Sequence, residues 1–246
     1  MRIAAISDIH ANLHALEAVY RDLEDRKCDR IYCLGDLVGY GAFPNEVIAF
    51  IRDREIPTVM GNYDEGVGFD LHDCGCVYRD PKDRNLGYQS LLWTRETTSE
   101  DNKRFLQSLP LQIRIEDQRP TLLFVHGSPR KINEYVYEDR PQSTYINIGK
   151  LAGTDVILFG HTRLPFEKQV GSVLFVNAGS VGKPTDGDPR AGYIILDTNR
   201  RISVEFYRIA YDVAAAAKAI CQVGLPENHA RQLETGGINQ VLEIDE

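Results

Sequence analysis

The chain has 246 residues, 43% hydrophobic and 26% charged, a globular balance with enough apolar material to close a core without disulfides. Acids outnumber bases by 36 to 28, and the net charge of −8 argues against a long nucleic acid or a membrane surface as partner, since both are held by basic patches. The 5 cysteines, odd in number and irregular in spacing, do not form the pattern of a secreted disulfide framework.

The N-terminus, MRIAAISDIHANLH, is interrupted by Asp8 and has no apolar run of signal-peptide length. No apolar run approaches the ~18 residues that span a bilayer. The expectation is a soluble, cytoplasmic protein. In chain order, Arg2–Ile6 has strand composition, and Ala11–Arg26 carries Leu13, Leu16, Val19, Tyr20 and Leu23 at helical spacing, with Asn12 as a candidate cap. Arg30–Leu34 is a second strand, Asn45–Arg54 a second helix and Ile56–Met60 a third strand. Strand–helix alternation of this kind predicts an α/β layer with parallel strands.

Residues 64–108 break the pattern. Glu65–Asp83 is rich in Gly, Asp and Cys without a period and reads as a long loop, followed by polar helices at Arg84–Glu96 and Ser99–Leu109. The segment reads as an insertion and a candidate lid, with Trp93 as its anchor. The second half is strand-rich: Leu111–Glu116, Thr121–His126, Val156–Phe159, Phe166–Val170, Val173–Asn177, Gly192–Asp197 and Ser203–Arg208. Helices at Ala214–Val223 and Pro226–Glu234 close the chain. With no repeats and no low-complexity linker, residues 1–246 read as one domain with two β-rich layers flanked by helices.

Five short segments fall at the ends of predicted strands: Asp8-Ile9-His10, Gly35-Asp36, Gly61-Asn62, His126-Gly127 and Gly160-His161. In open α/β sheets, ligands bind beyond the strands' carboxyl ends. Residues two apart in extended chain share a face, so Asp8 and His10 are expected to chelate one ion together. Glycine beside Asp36, Asn62 and His161 is expected to turn the backbone where a side chain faces the cleft. A carboxylate such as Asp36 can bridge two cations, one oxygen to each. The mixed Asp, His and Asn set suits Mn, Fe or Zn better than all-oxygen Ca or Mg shells.

The order D-x-H, G-D-x-x-G, G-N-x-[D/E], H-G, G-H-x, carried by Asp8-Ile9-His10, Gly35–Gly39, Gly61–Asp64, His126-Gly127 and Gly160–Thr162, resembles the calcineurin-like metallophosphoesterase superfamily. Its nearest likeness is the small bacterial and archaeal branch with diadenosine-tetraphosphatase-like and phosphodiesterase-like members. The resemblance implies an α/β fold, a four-layer α/β/β/α sandwich of two mixed β-sheets flanked by helices. It implies Asp8, His10 and bridging Asp36 on a first metal, and Asn62, His126 and His161 with Asp36 on a second. Two divalent ions follow, Mn foremost, with Fe, Zn, Ni, Co or Mg as alternatives. The implied chemistry is in-line attack on phosphorus by a hydroxide held between the ions.

Two positions depart from the family pattern. Tyr63 stands where the family often has histidine, leaving a hydrogen-bond donor that is a slow acid. Arg163 stands where the family's G-H-x-H ends in a metal-ligating histidine; arginine cannot ligate a cation, and it reads either as a phosphate clamp or as a surface salt bridge. Asp36, Asn62, His126, Arg163 and Tyr63 are thus the expected catalytic set. The implied partner is a small, nucleotide-like phosphoester, in a chain compatible with a homo-oligomer. The alternatives are a phosphoprotein or phosphomonoester phosphatase, and an inactive scaffold of the same fold. Outside this set, His72–Cys76 reads as a lid loop rather than a zinc site, and His14 and His229 as helix surface. Arg130, Lys131 and Lys183 are solvated charges or anion contacts, and Gly179–Gly182 a turn or a phosphate-cradling nest.

Overall fold

A computed structural model describes residues 1–78, 80–117 and 119–237. Two mixed sheets lie face to face. The first takes the order β2 (Arg30–Cys33), β1 (Arg2–Ile6), β8 (Ala191–Asp197), β9 (Ser203–Ile209), with β1 parallel to β2 and antiparallel to β8. The second takes the order β3 (Gln112–Ile115), β4 (Leu122–Val125), β5 (Val156–Phe159), β7 (Val173–Asn177), β6 (Phe166–Val170), with β4, β5 and β7 parallel.

The period-2 alternation of β1 explains the layers. Ile3 and Ala5 enter the inter-sheet core with Leu122, Phe124, Leu158 and Ile194, while Ala4 and Ile6 face the helices on the other side. Strands buried on both faces read as continuous apolar runs, as in Val156–Phe159. Against the outer face of the first sheet lie α1 (Leu13–Asp25) and α2 (Pro44–Asp53), which contribute Leu16, Val19, Val47 and Ile51 to that core. The outer face of the second sheet is covered by α6 (Gln142–Ala152) through Tyr145, Ile148 and Ala152. The result is the four-layer α/β/β/α sandwich.

Asn12 caps α1 by accepting from the Ala15 amide at 3.1 Å. Two expectations need correction. Ile56–Met60 is not a full strand: it meets β2 in a single bridge, Cys33 to Thr58. The long loop starts later than expected, because α3 occupies Asn62–Gly68; Gly66 and Gly68 cost it helix propensity, but they let Cys74, Leu91 and Leu106 pack close. Helix α6 was not foreseen, since Thr144, Ile146 and Gly149 weaken its propensity, yet Tyr145, Ile148, Gly149 and Ala152 repeat at helical spacing. The remaining helices are α4 (Pro81–Thr97), α5 (Glu100–Ser108), α7 (Val213–Gln222) and α8 (Glu227–Glu234). Trp93 packs against the apolar cluster formed by α7 and α8, so the inserted helix and the C-terminal pair share a core.

Candidate metal centre

The carboxyl ends of β1, β2, β4 and β5 converge on one edge, where the loops after them carry Asp8, His10, Asp36, His126 and His161, all buried. Asp8 and His10 do not share a face by extension. Both are left-handed, with φ of 52° and 49°, as are Asp36 (55°) and His161 (65°). Such backbone costs roughly 1–2 kcal/mol per non-glycine residue and persists only when neighbours over-determine it. They do: the Asp8 amide donates to the Gly35 carbonyl (3.0 Å), that of His10 to Asp36 (2.9 Å) and that of Ala11 to Leu37 (2.8 Å). Asp64, a residue that the motif alone left without a task, braces the second loop. Its carboxylate accepts from the amides of Asp36 (2.8 Å), Leu37 (2.8 Å) and Gly61 (2.9 Å).

Of the adjacent glycines, Gly35 turns as expected, with φ 90°, whereas Gly61 and Gly160 serve space. A Cβ on Gly160 would lie 1.9 Å from Ser7 Oγ and 2.6 Å from Asp8 Oδ2, and one on Gly61 would lie 2.1 Å from the Asp36 amide nitrogen. Positive φ falls on Asp8, His10, Asp36 and His161 themselves as well as on Gly35.

Two groups of ligand atoms form, Asp8–His10–Asp36 and Asp36–His126–His161, each with all atoms within 4.8 Å of one another. Asp36 belongs to both. Its Oδ1 accepts the Tyr63 amide at 2.9 Å, while Oδ2 lies 3.6 Å from His10 Nε2 and 3.4 Å from His126 Nε2. One oxygen, not one each, therefore faces both groups. Asn62 joins the second group: its Oδ1 is 3.1 Å from His126 Nε2, and its amide donates to the Cys74 carbonyl (2.9 Å) and Cys76 Sγ (3.2 Å), which turns the oxygen inward. The Cys76 thiol in turn lies 2.8 Å from that of Cys74.

Outer contacts orient the imidazoles. His10 Nδ1 meets the Val38 carbonyl at 3.1 Å and His126 Nδ1 that of Leu34 at 2.7 Å, leaving each Nε2 toward the cluster. Ser7 Oγ and the His161 amide donate to Asp8 Oδ2, whereas Asp8 Oδ1 and His161 Nε2 are buried without a hydrogen-bond partner. Buried polar atoms of this kind fit a divalent cation, and so does the Asp, His and Asn donor set.

The electrostatics agree. Burial alone would raise Asp8 and Asp36, but the hydrogen bond to His10 (Asp8) and the charge on His126 (both) hold each below the usual carboxylate range. Burial opposes the His126 proton, yet Asp36 carries its pKa up to about 9. Burial, then the charge on His126, push His161 down to about 3. Burial and Asp36 push Asp64 up to about 7, against the amides that it accepts. Burial raises Tyr63 well above an ordinary phenol, so it keeps its proton and is a still poorer acid than expected. Its ring stands edge-on to His10.

A cavity of about 160 Å³ opens from this cluster. Arg163 and Lys183 line it, and neither is a solvated surface charge: Arg163 Nε and Nη1 are buried without a partner, and Lys183 is 6% exposed. Burial, then Arg163, lower the Lys183 pKa well below its ordinary value. His229, expected on a helix surface, is 3% exposed; it faces Tyr40, lines the same cavity and contacts the Leu86 carbonyl through Nε2 at 3.2 Å. No local signal marked it, because its burial depends on where α8 lands. His14 stays partly exposed against Phe43, and Arg130 pairs with Glu134. Gly179–Gly182 is no phosphate nest. Its amides at Gly179, Val181 and Gly182 donate to Asn177 Oδ1 and to the carbonyls of Ser7 and Asp8, bracing the loop after β1.

The family model of the calcineurin-like phosphoesterase superfamily domain matches residues 1–201. The chain is 37% identical over 244 residues to the uncharacterized protein MJ0912 of Methanocaldococcus jannaschii, covering 92% of this chain and 94% of that one. It is similar to the crystal structure of a metallophosphoesterase from Sphaerobacter thermophilus, with a TM-score of 0.78, 32% identity, and 96% and 99% of the two chains covered. A shorter stretch of 53 residues is 42% identical to the phosphodiesterase YfcE of Escherichia coli, covering 22% of this chain and 28% of YfcE. The chain belongs to the calcineurin-like phosphoesterase superfamily, a metal-dependent family, and is a phosphoester hydrolase. Among the described residues no helix is long and apolar enough to cross a membrane.

Proposed function

We propose that the protein hydrolyses small phosphodiesters or dinucleoside polyphosphates at a two-metal centre, with manganese the foremost metal. Asp8, His10 and Asp36 would hold one cation; Asp36, Asn62, His126 and His161 would hold the other. The carrying observation is the Asp36 Oδ2 atom, which faces His10 and His126 at once while Oδ1 is tied to the Tyr63 amide. Divalent cations held there lower the pKa of a water toward neutrality and neutralise phosphoryl charge, the two needs of phosphoester hydrolysis.

The chain's own residues prepare the site. Asp8 and Asp36 supply the negative charge that cations need, and His126, whose proton Asp36 favours, would have to release it to serve as a ligand. Tyr63 keeps its proton and offers a hydrogen-bond donor rather than an acid. Residues 64–108 act as a lid in part: Tyr78, Asp83, Leu86 and Gly87 wall the cavity from one side and α8 from another, which excludes bulk water and favours a small substrate over a phosphoprotein. The likeness to a stretch of YfcE supports the phosphodiester reading.

Turnover of bis(p-nitrophenyl) phosphate tests this. Activity should appear with Mn²⁺ and vanish with excess chelator. No turnover with Mn²⁺, Fe²⁺, Zn²⁺, Ni²⁺, Co²⁺ or Mg²⁺ would overturn the reading, and turnover of phosphopeptides in preference to diesters and dinucleoside polyphosphates would move it to the phosphatase class.

A further inference from the structure

Beyond the ligand cluster, the cavity holds two basic side chains, Arg163 and Lys183, that form no ion pair among the described residues. Arg163 follows His161 by two residues; its backbone is left-handed too, φ 62°, and its partly exposed side chain lines the cavity wall. Its Nε and Nη1 are buried without a hydrogen-bond partner, and Asp8, whose charge favours the guanidinium, makes no ion pair with it among the described residues. Lys183 Nζ has one neutral acceptor, Gln232 Oε1 at 2.6 Å, supplied by α8. Both cations lie over the ring of Tyr40, Lys183 at 4.6 Å and Arg163 at 5.9 Å from its centroid, so they share one wall. Asp83 also lines the cavity but pairs with neither. Burying an unpaired charge costs several kcal/mol unless a ligand supplies the counter-charge, and guanidinium and ammonium groups are the usual phosphate-binding pair.

The cavity is small. About 160 Å³ is well under the ~300–1,000 Å³ of sites that enclose drug-sized ligands. Bulky groups of a substrate, such as nucleosides, would extend toward the mouth.

We propose that Arg163 and Lys183 form a second anion subsite beside the metal centre, which takes the distal phosphate of a substrate whose reacting phosphoryl group belongs to a polyphosphate chain. The proposal rests on the two-metal phosphoesterase reading and narrows its substrate to phosphoanhydride-bearing compounds. Between the subsite and the metal ligands such a substrate spans two positive regions, and a simple diester engages only one.

Calorimetric titration of the full-length, Mn²⁺-loaded protein with methylphosphonate, methylenediphosphonate and phosphonoacetate tests the subsite without requiring turnover. Wild type should bind methylenediphosphonate at least about tenfold tighter than methylphosphonate, the gain expected of one charge-assisted contact. R163Q and K183Q should each shrink that preference to about threefold or less, and R163K should restore part of it. Chelation of Mn²⁺ by the bisphosphonate cannot mimic this, because it does not depend on either side chain. Unchanged melting temperatures show that the variants fold. A wild-type preference near one, or a preference unaltered in both glutamine variants, overturns the proposal. Phosphonoacetate binding as tightly as methylenediphosphonate overturns the assignment to phosphate. The preference without Mn²⁺-dependent hydrolysis of any phosphoester sinks the enzymatic reading and leaves the anion subsite standing; hydrolysis without the preference does the reverse.

Discussion

The floor of the cavity and its cover are built on different principles. The floor is backbone: Asp8, His10, Asp36 and His161 sit in left-handed conformations locked by amide–carbonyl bonds between loops and by the three amides on Asp64. The cover is side chains. His229 and Gln232 of α8 touch Leu86 and Lys183, and Cys76 at the start of the inserted segment touches Asn62. A site held by backbone loses its chemistry or its fold when one residue changes, whereas a cover held by side chains shifts affinity and pH response.

The largest effect expected is D36N. Removing the one carboxylate that faces both ligand groups should cut turnover of bis(p-nitrophenyl) phosphate by at least about a thousandfold, with the circular dichroism spectrum unchanged. A variant within tenfold of wild type would break the idea that the floor centres on Asp36. D64A comes next. Leaving three buried amides without their acceptor should lower unfolding free energy by about 3–5 kcal/mol, read in urea, and D64N should recover part of it. A loss below 1 kcal/mol would show that the loops hold themselves.

On the cover, H229Q tests burial through pH. His229 stays neutral in the folded protein down to about pH 4, while in the unfolded chain it takes up a proton near 6.5. The unfolded state therefore binds more protons between those values, and stability falls as pH drops through that window, by at most about 3 kcal/mol for this residue. Metal-free H229Q should show a shallower fall between pH 6.5 and 4, with His161 still contributing its own. Identical slopes would place His229 in solvent. The smallest effect belongs to C76A: loss of the Sγ that accepts from Asn62 should weaken Mn²⁺ binding by about tenfold, measured by competition with a chromogenic chelator. An unchanged affinity would leave Asn62 oriented by the Cys74 carbonyl alone.

The floor could be read from the sequence because its parts are local. Short apolar runs such as Val156–Phe159 mark strands, and Asp, His and Gly at their ends mark where chain leaves the sheet. Extended-chain periodicity does not account for the pairing of Asp8 with His10, because it cannot report a left-handed turn. The cover was poorly read for a different reason. Helix α3 hides behind Gly66 and Gly68, and His229 carries no sign of burial within its own helix, whose surroundings come from α4 and Tyr40. Arg163 was visible as a departure, but whether it met solvent or a cavity was not.

By itself, then, the sequence determined the α/β layering, the identity of the candidate ligands and their order along the chain, since strand periodicity and side-chain chemistry are properties of neighbouring residues. Only the tertiary structure decided that Asp36 presents a single oxygen to both groups, that Asp64 holds the loops, and that Arg163 and Lys183 share one cavity. Those facts depend on contacts between residues far apart in the chain, such as Lys183 with Gln232 and Asn62 with His126. The net charge of −8 is a sum over the whole chain and carries no word of where charge gathers; packing put the basic side chains of Arg163 and Lys183 on one wall of the cavity.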